Sequence, residues 1–498
     1  MDGSWINVLA ERRQDATRYG VPGRHSASQR ALSVDQTILL GLIVIALGAG
    51  LWTEPRIVGM TLVTATAAAF LALAIWRIAL VLASTRLRVE PPPAPPMLPR
   101  YTILAALYDE AEVIGQLIER LSRIDYPPNR LQGMLVLEAH DHATIAAALA
   151  APRPPWLQVF VAPPGYPQTK PRALNCALGH ATGELLTVYD AEDEPDPQQL
   201  REAAAAFAAD RTARLACLQA PLRIRLGSAG RPTFLERQFA AEYAALFEAT
   251  LPGMHRLGLP FPLGGTSNHF RTEVLRAVGG WDVWNVTEDA DLGFRLWRRG
   301  WRLGVIRRPT WEAPPGEIRH WLPQRTRWLK GYMQTFGVHS RRPWELGARG
   351  LFALLATVGA GLVSAVMHGP SLAWLAATIL VAAMAGLPPL IPLLAVGVLI
   401  IGAASAWLSC FVGTRRADVP YRIADMVTAP AYWALLTLAS AHAIWRLIRE
   451  PFAWDKTAHR PDRPQTSRRA PAAAEARLDE TAPNRLSAAH AAAPQPVA

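Results

Sequence analysis

Long apolar runs flank a polar middle region of this chain. They cover residues 37–52, 57–76, 350–367, 372–387, 391–412 and 426–444. Several approach the roughly 20 residues with which a helix crosses hydrocarbon. The pattern predicts two transmembrane helices before the polar region and about four after it. A signal peptide is the alternative for the first run, but a long basic lead and an immediately following second run disfavour it.

This pattern divides the chain into six parts. We predict a basic, disordered N-terminus over 1–33, two transmembrane helices within 34–85 and a proline-rich linker over 86–99. A polar domain over 100–345 follows, then further transmembrane helices over 346–448 and a disordered tail over 449–498.

Within the polar domain, short apolar runs alternate with helical patterns. Strands are predicted over 101–107, 134–137, 157–161 and 185–190, and residues 108–112 are expected to open the first intervening helix. Such alternation predicts an α/β domain with a mostly parallel sheet covered on both faces. The first strand is not followed by G-x-G-x-x-G, which disfavours a dinucleotide dehydrogenase.

The distribution of charge predicts the orientation. Five arginines precede the first span, so the positive-inside bias places the N-terminus and the polar domain in the cytoplasm. Arg415 and Arg416 disagree, because four C-terminal spans would put them outside. Either the run 372–387 does not fully cross, or the local bias is overridden.

The net charge of +11 is typical of a surface facing anionic lipid. Nucleic acid is disfavoured as a partner, because no known nucleic-acid-binding motif occurs. Cys176, Cys217 and Cys410 lack paired spacing, which argues against disulfides and zinc.

A cluster of acids marks the end of the fourth predicted strand. Five carboxylates fall within seven positions: Asp190, Glu192, Asp193, Glu194 and Asp196. Ligands of open α/β sheets bind at this edge, and closely spaced carboxylates favour a bound cation. The alternative is an acidic helix entrance with Asp196 as its N-cap.

Two more helix starts carry candidate chemistry. Lys170, followed by Pro171, opens a helix whose free N–H groups suit a phosphate, although a solvated basic helix start is equally compatible. Lysine is rare here, since only Lys170, Lys330 and Lys456 occur, and arginine does not replace lysine at every kind of site. The acids of Thr287-Glu-Asp-Ala-Asp291 fit a helix dipole or a binding site.

An aromatic helix precedes the third span. Its apolar stripe suits a helix at the membrane interface over 317–336, with Arg325 and Lys330 off the stripe; the stripe contains Trp321, Trp328, Leu329, Tyr332 and Phe336. This placement leaves open a role for tryptophan in stacking on sugar.

Together these elements resemble the membrane-embedded family 2 glycosyltransferases, which include cellulose and hyaluronan synthases. The resemblance covers about 100–340, and Gln324-Arg-Thr-Arg-Trp328 is its most specific element. Lys170-Pro-Arg-Ala-Leu-Asn, Gly265-Thr-Ser-Asn-His-Phe-Arg and Pro451-Phe-Ala-Trp-Asp-Lys resemble the bacterial exopolysaccharide subgroup that includes the phage N4 adsorption protein B.

The resemblance implies a GT-A, Rossmann-like domain between membrane helices and gives roles to ten residues. Asp289 would be the catalytic base, and Asp190 and Glu192 would bind Mg²⁺ or Mn²⁺. The donor nucleotide and its diphosphate would contact Tyr108, Glu110, Asp141, Lys170 and Asp190. The leaving diphosphate and the acceptor would contact Gln324, Arg327 and Trp328.

The chain departs from the family pattern in two places. His140-Asp141 stands where paired aspartates are common, and the D-x-D element reads Asp-Ala-Glu. Glutamate offers a divalent ion the same kind of oxygen as aspartate, so the metal prediction is kept, and which carboxylate ligates it stays open.

The predicted function is inverting, metal-dependent sugar transfer at the bacterial inner membrane. The expected donor is a nucleotide-sugar of the UDP type, and the expected acceptor is lipid-linked or a polysaccharide. The alternative is a non-enzymatic component of a secretion or phage-uptake machine with a degenerate transferase domain. A pure transporter is disfavoured, because the spans contain few internal charges.

Overall fold

The computed structural model of the protein describes residues 21–28, 32–85, 95–227, 231–386 and 393–453. Most of the segments predicted to be disordered, 1–33 and 449–498, and most of the predicted linker over 86–99 lie outside these residues. Residues 21–28 are described and ordered, because the Ser26 hydroxyl (2.8 Å) and the Ala27 N–H (2.6 Å) donate to the carboxylate of Asp282.

A seven-stranded sheet forms the centre of the polar domain. Its spatial order is β3-β2-β1-β4-β8-β6-β9, and a second sheet has the order β5-β10-β7. The strands are β1 (Tyr101–Leu107), β2 (Leu131–Glu138), β3 (Leu157–Ala162), β4 (Leu185–Tyr189), β5 (Glu194–Pro195), β6 (Leu215–Gln219), β7 (Leu222–Ile224), β8 (Asn268–Arg271), β9 (Arg302–Val305) and β10 (Thr310–Glu312).

The sheet is mixed and mostly parallel. β3, β2, β1 and β4 run parallel, whereas β8 is antiparallel to both of its neighbours. From β1 the chain moves outward to β2 and β3 and then returns to the other side of β1 as β4. The carboxyl ends of β1 and β4 therefore flank a topological switch point, where open α/β sheets bind ligands.

Helices cover both faces of this sheet. In chain order the described helices are α1 (Val34–Thr53), α2 (Pro55–Thr85), α3 (Ile114–Ser122), α4 (His142–Ala150), α5 (Lys170–Leu178), α6 (Gln199–Ala209), α7 (Phe234–Ala245), α8 (Leu251–Arg256), α9 (Thr272–Ala277), α10 (Glu288–Arg298), α11 (Ile318–Ser340), α12 (Gly347–Leu354), α13 (Ala360–Met384), α14 (Leu393–Ala417) and α15 (Ile423–Arg449). The two apolar clusters on either side of the sheet contain Leu104 and Leu186 on one face and Ile103 and Leu185 on the other. This alternation follows from the period of two in a strand.

The helix predicted to open at 108–112 begins later, at Ile114. Asp109 has a φ of 53°, and its N–H donates to the carboxylate of Asp141. A non-glycine residue in this left-handed region belongs to a turn rather than a helix. Residues 108–113 therefore form a loop between β1 and α3.

Five helical segments in the described part of the chain are long and apolar enough to cross a membrane. They are Val34–Thr53, Pro55–Thr85, Pro343–Met384, Val396–Ala417 and Ile423–Arg449. Two precede the domain, as predicted, but three follow it, and the predicted pair of spans 350–367 and 372–387 is one continuous segment.

The merging of these two runs has a local cause at Pro370. Proline removes a backbone hydrogen bond and usually breaks a helix, yet Pro370 lies inside α13. The hydroxyl of Thr437 on α15 accepts from the N–H of Gly369 (2.9 Å) and donates to the carbonyl of Ala365 (2.7 Å). A neighbouring hydroxyl thus satisfies the backbone groups beside the proline, as occurs in membrane helices.

Three spans also account for Arg415 and Arg416, which end α14. The guanidinium of Arg416 donates to the hydroxyl of Ser84 at the end of α2 (3.0 Å) and to the carbonyl of Glu248 (2.5 Å). The basic end of α14 therefore lies beside the polar domain, on the side where α2 enters it.

The predicted interfacial helix over 317–336 corresponds to α11, but its packing differs from that prediction. Trp321, Arg325 and Lys330 are buried, and α15 packs along α11. Lys330, placed off the apolar stripe, donates to the carbonyls of Glu450 (3.2 Å) and Ala453 (2.7 Å). These side chains face protein, because α11 is enclosed between the domain and α15.

Candidate active site

One large cavity opens at the carboxyl ends of β1 and β4 and continues between the membrane helices. Its volume is about 1380 Å³. Nine of the ten predicted site residues line it: Tyr108, Glu110, Lys170, Asp190, Glu192, Asp289, Gln324, Arg327 and Trp328. The structure therefore brings together side chains that are more than 200 positions apart in sequence.

The five carboxylates after β4 are not equivalent. Glu194 contacts Arg225 and lies 3.6 Å from the Arg120 Nε, and Asp196 lies 3.3 Å from Arg308. Arginines of the protein therefore balance two of the acids. Asp193 turns inward, whereas Asp190 and Glu192 face the cavity.

Asp193 supports the strand end from behind. Its Oδ2 accepts hydrogen bonds from the Asp190 backbone N–H (2.7 Å) and from the Thr266 hydroxyl. Burial, followed by the nearby charges of Asp190 and Glu192, raises the pKa of Asp193 well above its usual value. This residue fixes the turn that presents Asp190 and Glu192.

Lys170 lies between the two groups of acids. Its Nζ donates to the carboxylate of Asp190 and to the carbonyl of Gly265 (3.1 Å). Burial opposes the protonated ammonium, but the charges of Asp190 and then Glu288 outweigh it and hold the pKa of Lys170 above its usual value. The cavity thus contains a fixed positive charge at the start of α5. The predicted phosphate site on the helix N–H groups is not seen, because Pro171 has no N–H and those of Arg172 and Ala173 donate to the Thr169 carbonyl (3.1 and 3.2 Å).

Glu288 and Asp289 form the second acidic group, in the first turn of α10. Asp289 accepts from the Ala290 N–H (2.8 Å), and its other oxygen lies near Gly265, where an added Cβ would come within 3.4 Å of it. Burial raises the pKa of both acids, and the charge of Asp289 raises that of Glu288 further. Both are therefore better proton acceptors than exposed carboxylates.

α11 supplies the third part of the site. Gln324, Arg327 and Trp328 face the cavity, and Arg327 Nη1 lies 3.5 Å from the Val286 carbonyl just before α10. Gln324 Oε1 is buried without a hydrogen-bond partner among the described residues. A buried acceptor of this kind can accept a hydrogen bond from a ligand.

The loop after β1 supplies Tyr108 and Glu110, while Asp141 holds that loop. Asp141 caps α4 by accepting from the Thr144 N–H (3.1 Å), and its other oxygen accepts from the Asp109 N–H (2.5 Å). It is not among the cavity-lining residues. The structure therefore places Asp141 as a support for the residues that face the cavity.

Sequence analysis missed a partly buried ion pair beside Trp328. Arg325 donates to both carboxylate oxygens of Glu242 (2.7 and 2.5 Å) and stacks 4.6 Å from the Trp328 ring. Glu242 lies 83 residues earlier, on α7, so only the fold brings the two together. The one available signal was Arg325 itself, three positions before Trp328.

Comparison with known proteins decides the family. Residues 102–242 match the sequence profile of glycosyl transferase family 2, and residues 185–407 match that of glycosyl transferase family group 2. The chain carries a family 2 glycosyltransferase domain. The family resemblance predicted from its motifs is confirmed, as is the GT-A-type α/β fold between membrane helices.

Several curated proteins are similar to this family 2 chain. A probable glycosyltransferase, YdaM, of Bacillus subtilis is 25% identical over 47% of this chain and 55% of its own length. Beta-monoglucosyldiacylglycerol synthase of Synechocystis sp. is 28% identical over 52% of this chain and 55% of its own. The UDP-forming cellulose synthase 1 catalytic subunit of Komagataeibacter xylinus is 27% identical over 58% of this chain and 38% of its own length.

The chain thus spans about half the length of the first two relatives. Among solved structures, a mannosyltransferase of Pyrobaculum calidifontis in complex with GDP-Man and Mn²⁺ aligns with 76% of this chain and 99% of its own. The TM-score is 0.45 and the sequence identity 20%.

The carboxylates of the family 2 domain fit a divalent cation only as a partial site. No group of three or more His, Cys, Asp or Glu side chains arranged for a metal occurs in the described residues. Mg²⁺, however, is commonly held by one or two carboxylates together with the phosphates of a substrate. Asp190 and Glu192 supply these two oxygen-bearing side chains, beside the cationic Lys170.

Proposed function

We propose that the protein transfers a sugar from a nucleotide-sugar, of the UDP type, to a lipid-linked or polysaccharide acceptor, with inversion at the anomeric carbon. The observation that carries this proposal is the sharing of one cavity by the acidic strand end after β4 and a separate acidic helix start. Family membership of the domain supports the same reaction class.

On the donor side, Tyr108 and Glu110 would contact the nucleoside, and Lys170 the diphosphate. Asp190 and Glu192 would hold Mg²⁺ or Mn²⁺, which, when bound, would offset the charge of the diphosphate. Arg327 would contact the departing diphosphate from the opposite wall. Positive groups fixed before the reaction stabilise charge without reorganising.

On the acceptor side, Asp289 would be the base. The hydroxyl oxygen of the acceptor forms a bond to the anomeric carbon, its proton passes to the Asp289 carboxylate, and the bond from carbon to diphosphate oxygen breaks. A raised pKa brings this carboxylate nearer to the operating pH, where general bases are most effective. One displacement inverts the anomeric centre.

We also propose that the polar domain is cytoplasmic and that the membrane is the bacterial inner membrane. The five apolar helical segments support a membrane protein. The position of Arg416 beside the domain supports the orientation, since basic residues favour the cytoplasmic side.

The test is a panel of labelled nucleotide-sugars offered to membranes containing the protein, with Mn²⁺ or with a chelator. We expect one donor to be consumed in the presence of Mn²⁺ and spared by the chelator. Calorimetry with the same donors would show binding. If no nucleotide-sugar binds with Mn²⁺, the chain is a degenerate transferase that serves as a scaffold, and the proposal fails.

A further inference from the structure

The cavity extends well beyond the groups that the transfer reaction needs. α2 packs on α14 and α13 packs on α15, and all four helices contribute to the cavity lining. The space is therefore continuous from Asp289 into the region between these two helix pairs. At about 1380 Å³ it exceeds the roughly 300–1,000 Å³ of ordinary small-ligand pockets.

The part between the membrane helices is lined mostly by apolar side chains. Its polar groups include Ser364, His368 and the Nε1 groups of Trp76 and Trp407, neither of which has a hydrogen-bond partner among the described residues. α14 contributes Val398, Leu399, Ile400, Ala403 and Ala406, and α2 contributes Leu62, Val63, Ala67, Phe70 and Leu73. Two hydroxyls in and just before α13, on the other side of the cavity, already donate to backbone carbonyls of their own helical segment. Thr357 donates to the Ala353 carbonyl (2.6 Å) and Ser371 to the Met367 carbonyl (2.7 Å).

This lining distinguishes between two kinds of acceptor. A polysaccharide carries several hydroxyls on each sugar, and a hydroxyl that is buried without a hydrogen-bond partner is destabilising. A hydrocarbon chain instead gains free energy in proportion to the apolar surface that it removes from water. A wall made mostly of apolar side chains therefore favours a lipid chain.

Arg77 is the exception within this wall. It is the one Asp, Glu, Lys or Arg side chain that α2, α13, α14 and α15 contribute to the cavity lining in the described part of the chain. Its Nη1 donates to the Ser405 hydroxyl (3.1 Å), and the described residues place no carboxylate within ion-pair distance of it. A guanidinium has five N–H donors, and the Ser405 hydroxyl takes one of them.

The depth of Arg77 suits a lipid headgroup. Arg77 lies seven residues before Ser84 on α2. Ser84 contacts Arg416 at the end of the helices that adjoins the domain. At 1.5 Å per residue this is about 10 Å along α2. Charged residues inside membrane helices are costly and mark functional sites, and arginine binds phosphate through paired N–H groups.

We propose that the acceptor is a membrane lipid that carries both a hydroxyl and an anionic phosphate. Its hydrocarbon chains lie between the helix pairs α2/α14 and α13/α15, Arg77 binds the phosphate, and the hydroxyl reaches Asp289. This inference rests on the proposed transfer reaction and names its acceptor. The hydroxyl proton passes to Asp289, the lipid oxygen bonds to the anomeric carbon, and the nucleoside diphosphate leaves.

Two glycines on α14 provide matched variants for the test. Gly402 lines the cavity and Gly397 does not, and an added Cβ meets no atom within 4 Å at either position. A leucine at position 402 should therefore occupy space needed by the lipid chain, whereas a leucine at 397 should not. Gly397→Leu controls for the change of residue type within the same helix.

The experiment uses the full chain in nanodiscs with a labelled donor and Mn²⁺, followed by extraction into organic solvent. Phosphatidylglycerol carries a hydroxyl and a phosphate, diacylglycerol carries a hydroxyl alone, and an oligosaccharide represents a soluble acceptor. We expect label in the organic phase with phosphatidylglycerol. Gly402→Leu should lower this by roughly tenfold or more, the effect of one misfitted group in an apolar pocket, and Gly397→Leu should not.

Arg77 is tested by the pair Arg77→Gln and Arg77→Lys. We expect Arg77→Gln to raise KM for phosphatidylglycerol by roughly tenfold while kcat stays near the wild-type value, and Arg77→Lys to recover part of the loss. Preferential labelling of diacylglycerol or of the oligosaccharide would overturn the proposal. Donor binding by calorimetry distinguishes failure of the lipid-acceptor proposal from failure of the transfer reaction. If the donor binds but no lipid is labelled, only this acceptor is rejected. If the donor does not bind, the transfer reaction is rejected as well.

Discussion

The two acidic groups of the cavity contain the same kind of side chain in different surroundings. After β4, Asp190 pairs with Lys170, and the backbone there is held by Asp193. At the start of α10, Glu288 and Asp289 adjoin one another, and burial raises the pKa of both. A carboxylate paired with a cation at the end of a strand suits a metal ion that also binds phosphate, and one with a raised pKa suits proton transfer. Environment thus separates two roles that composition alone would merge.

Among substitutions that test this difference between the two acidic groups, we expect the one at Asp289 to lower the transfer rate most. Asp289→Asn removes the proton acceptor but keeps the shape, so transfer should fall about 10²–10⁴-fold. Donor binding should change little, because the proposed metal ligands, Asp190 and Glu192, remain. Initial rates with the labelled donor, beside calorimetry on the same preparation, measure both. Wild-type turnover in this variant would remove Asp289 as the base.

The next effect concerns Asp190 and should have the opposite signature. Asp190→Asn removes one charged oxygen ligand, and even residues that merely support a metal ligand cost about 10–100-fold in metal affinity when mutated. We therefore expect the Mn²⁺ concentration needed for donor binding to rise by at least this factor. A Mn²⁺ titration of donor binding is the measurement, and an unchanged titration would assign the metal to another carboxylate.

The dependence of activity on pH offers a third comparison. An ordinary aspartate has a pKa near 3.9. The pKa of Asp289 is raised above that value, so this base becomes protonated at a higher pH. As pH falls below that raised value, kcat/KM should drop tenfold per pH unit. The pKa of Glu288 is raised further, to about 8, first by burial and then by the charge of Asp289, so Glu288 is already neutral at the pH where Asp289 titrates. Glu288→Gln should therefore leave the acidic limb in place, and a shift of the limb to lower pH would contradict this order of protonation.

The smallest effect is expected at Glu194, which belongs to the same acidic run as Asp190. Arg225 and Arg120 contact it outside the cavity, and its side chain is 33% exposed. Partly exposed ion pairs contribute about 0–1 kcal/mol, so Glu194→Gln should leave both the rate and the Mn²⁺ titration near wild type. A large loss would mean that the whole run, rather than two of its members, binds the cation.

Sequence reasoning located side chains whose position depends on a single element, and the structure places them in one cavity. The end of a buried strand and the start of a helix are local features, so Asp190 and Asp289 could be named from periodicity and motif. It failed where distant elements meet. The pairing of Arg325 with Glu242, and the support that Asp141 gives to Asp109, depend on contacts across 83 and 32 residues.

The number of spans shows the same limit in the membrane region. Two separate apolar runs, 350–367 and 372–387, predicted two short spans, and Gly369 and Pro370 lie between them. The hydroxyl of Thr437, 68 positions later, satisfies the backbone at that point and allows one continuous helix. Tertiary contact thus overrode a correct local preference.

The most direct test of the separation between the two acidic groups measures Mn²⁺-dependent donor binding and single-turnover transfer for Asp190→Asn and Asp289→Asn side by side. We predict that Asp190→Asn loses binding and that Asp289→Asn binds the donor but does not transfer the sugar. Equal losses of binding and transfer in both variants would contradict the division into a cation-binding group and a proton-accepting group.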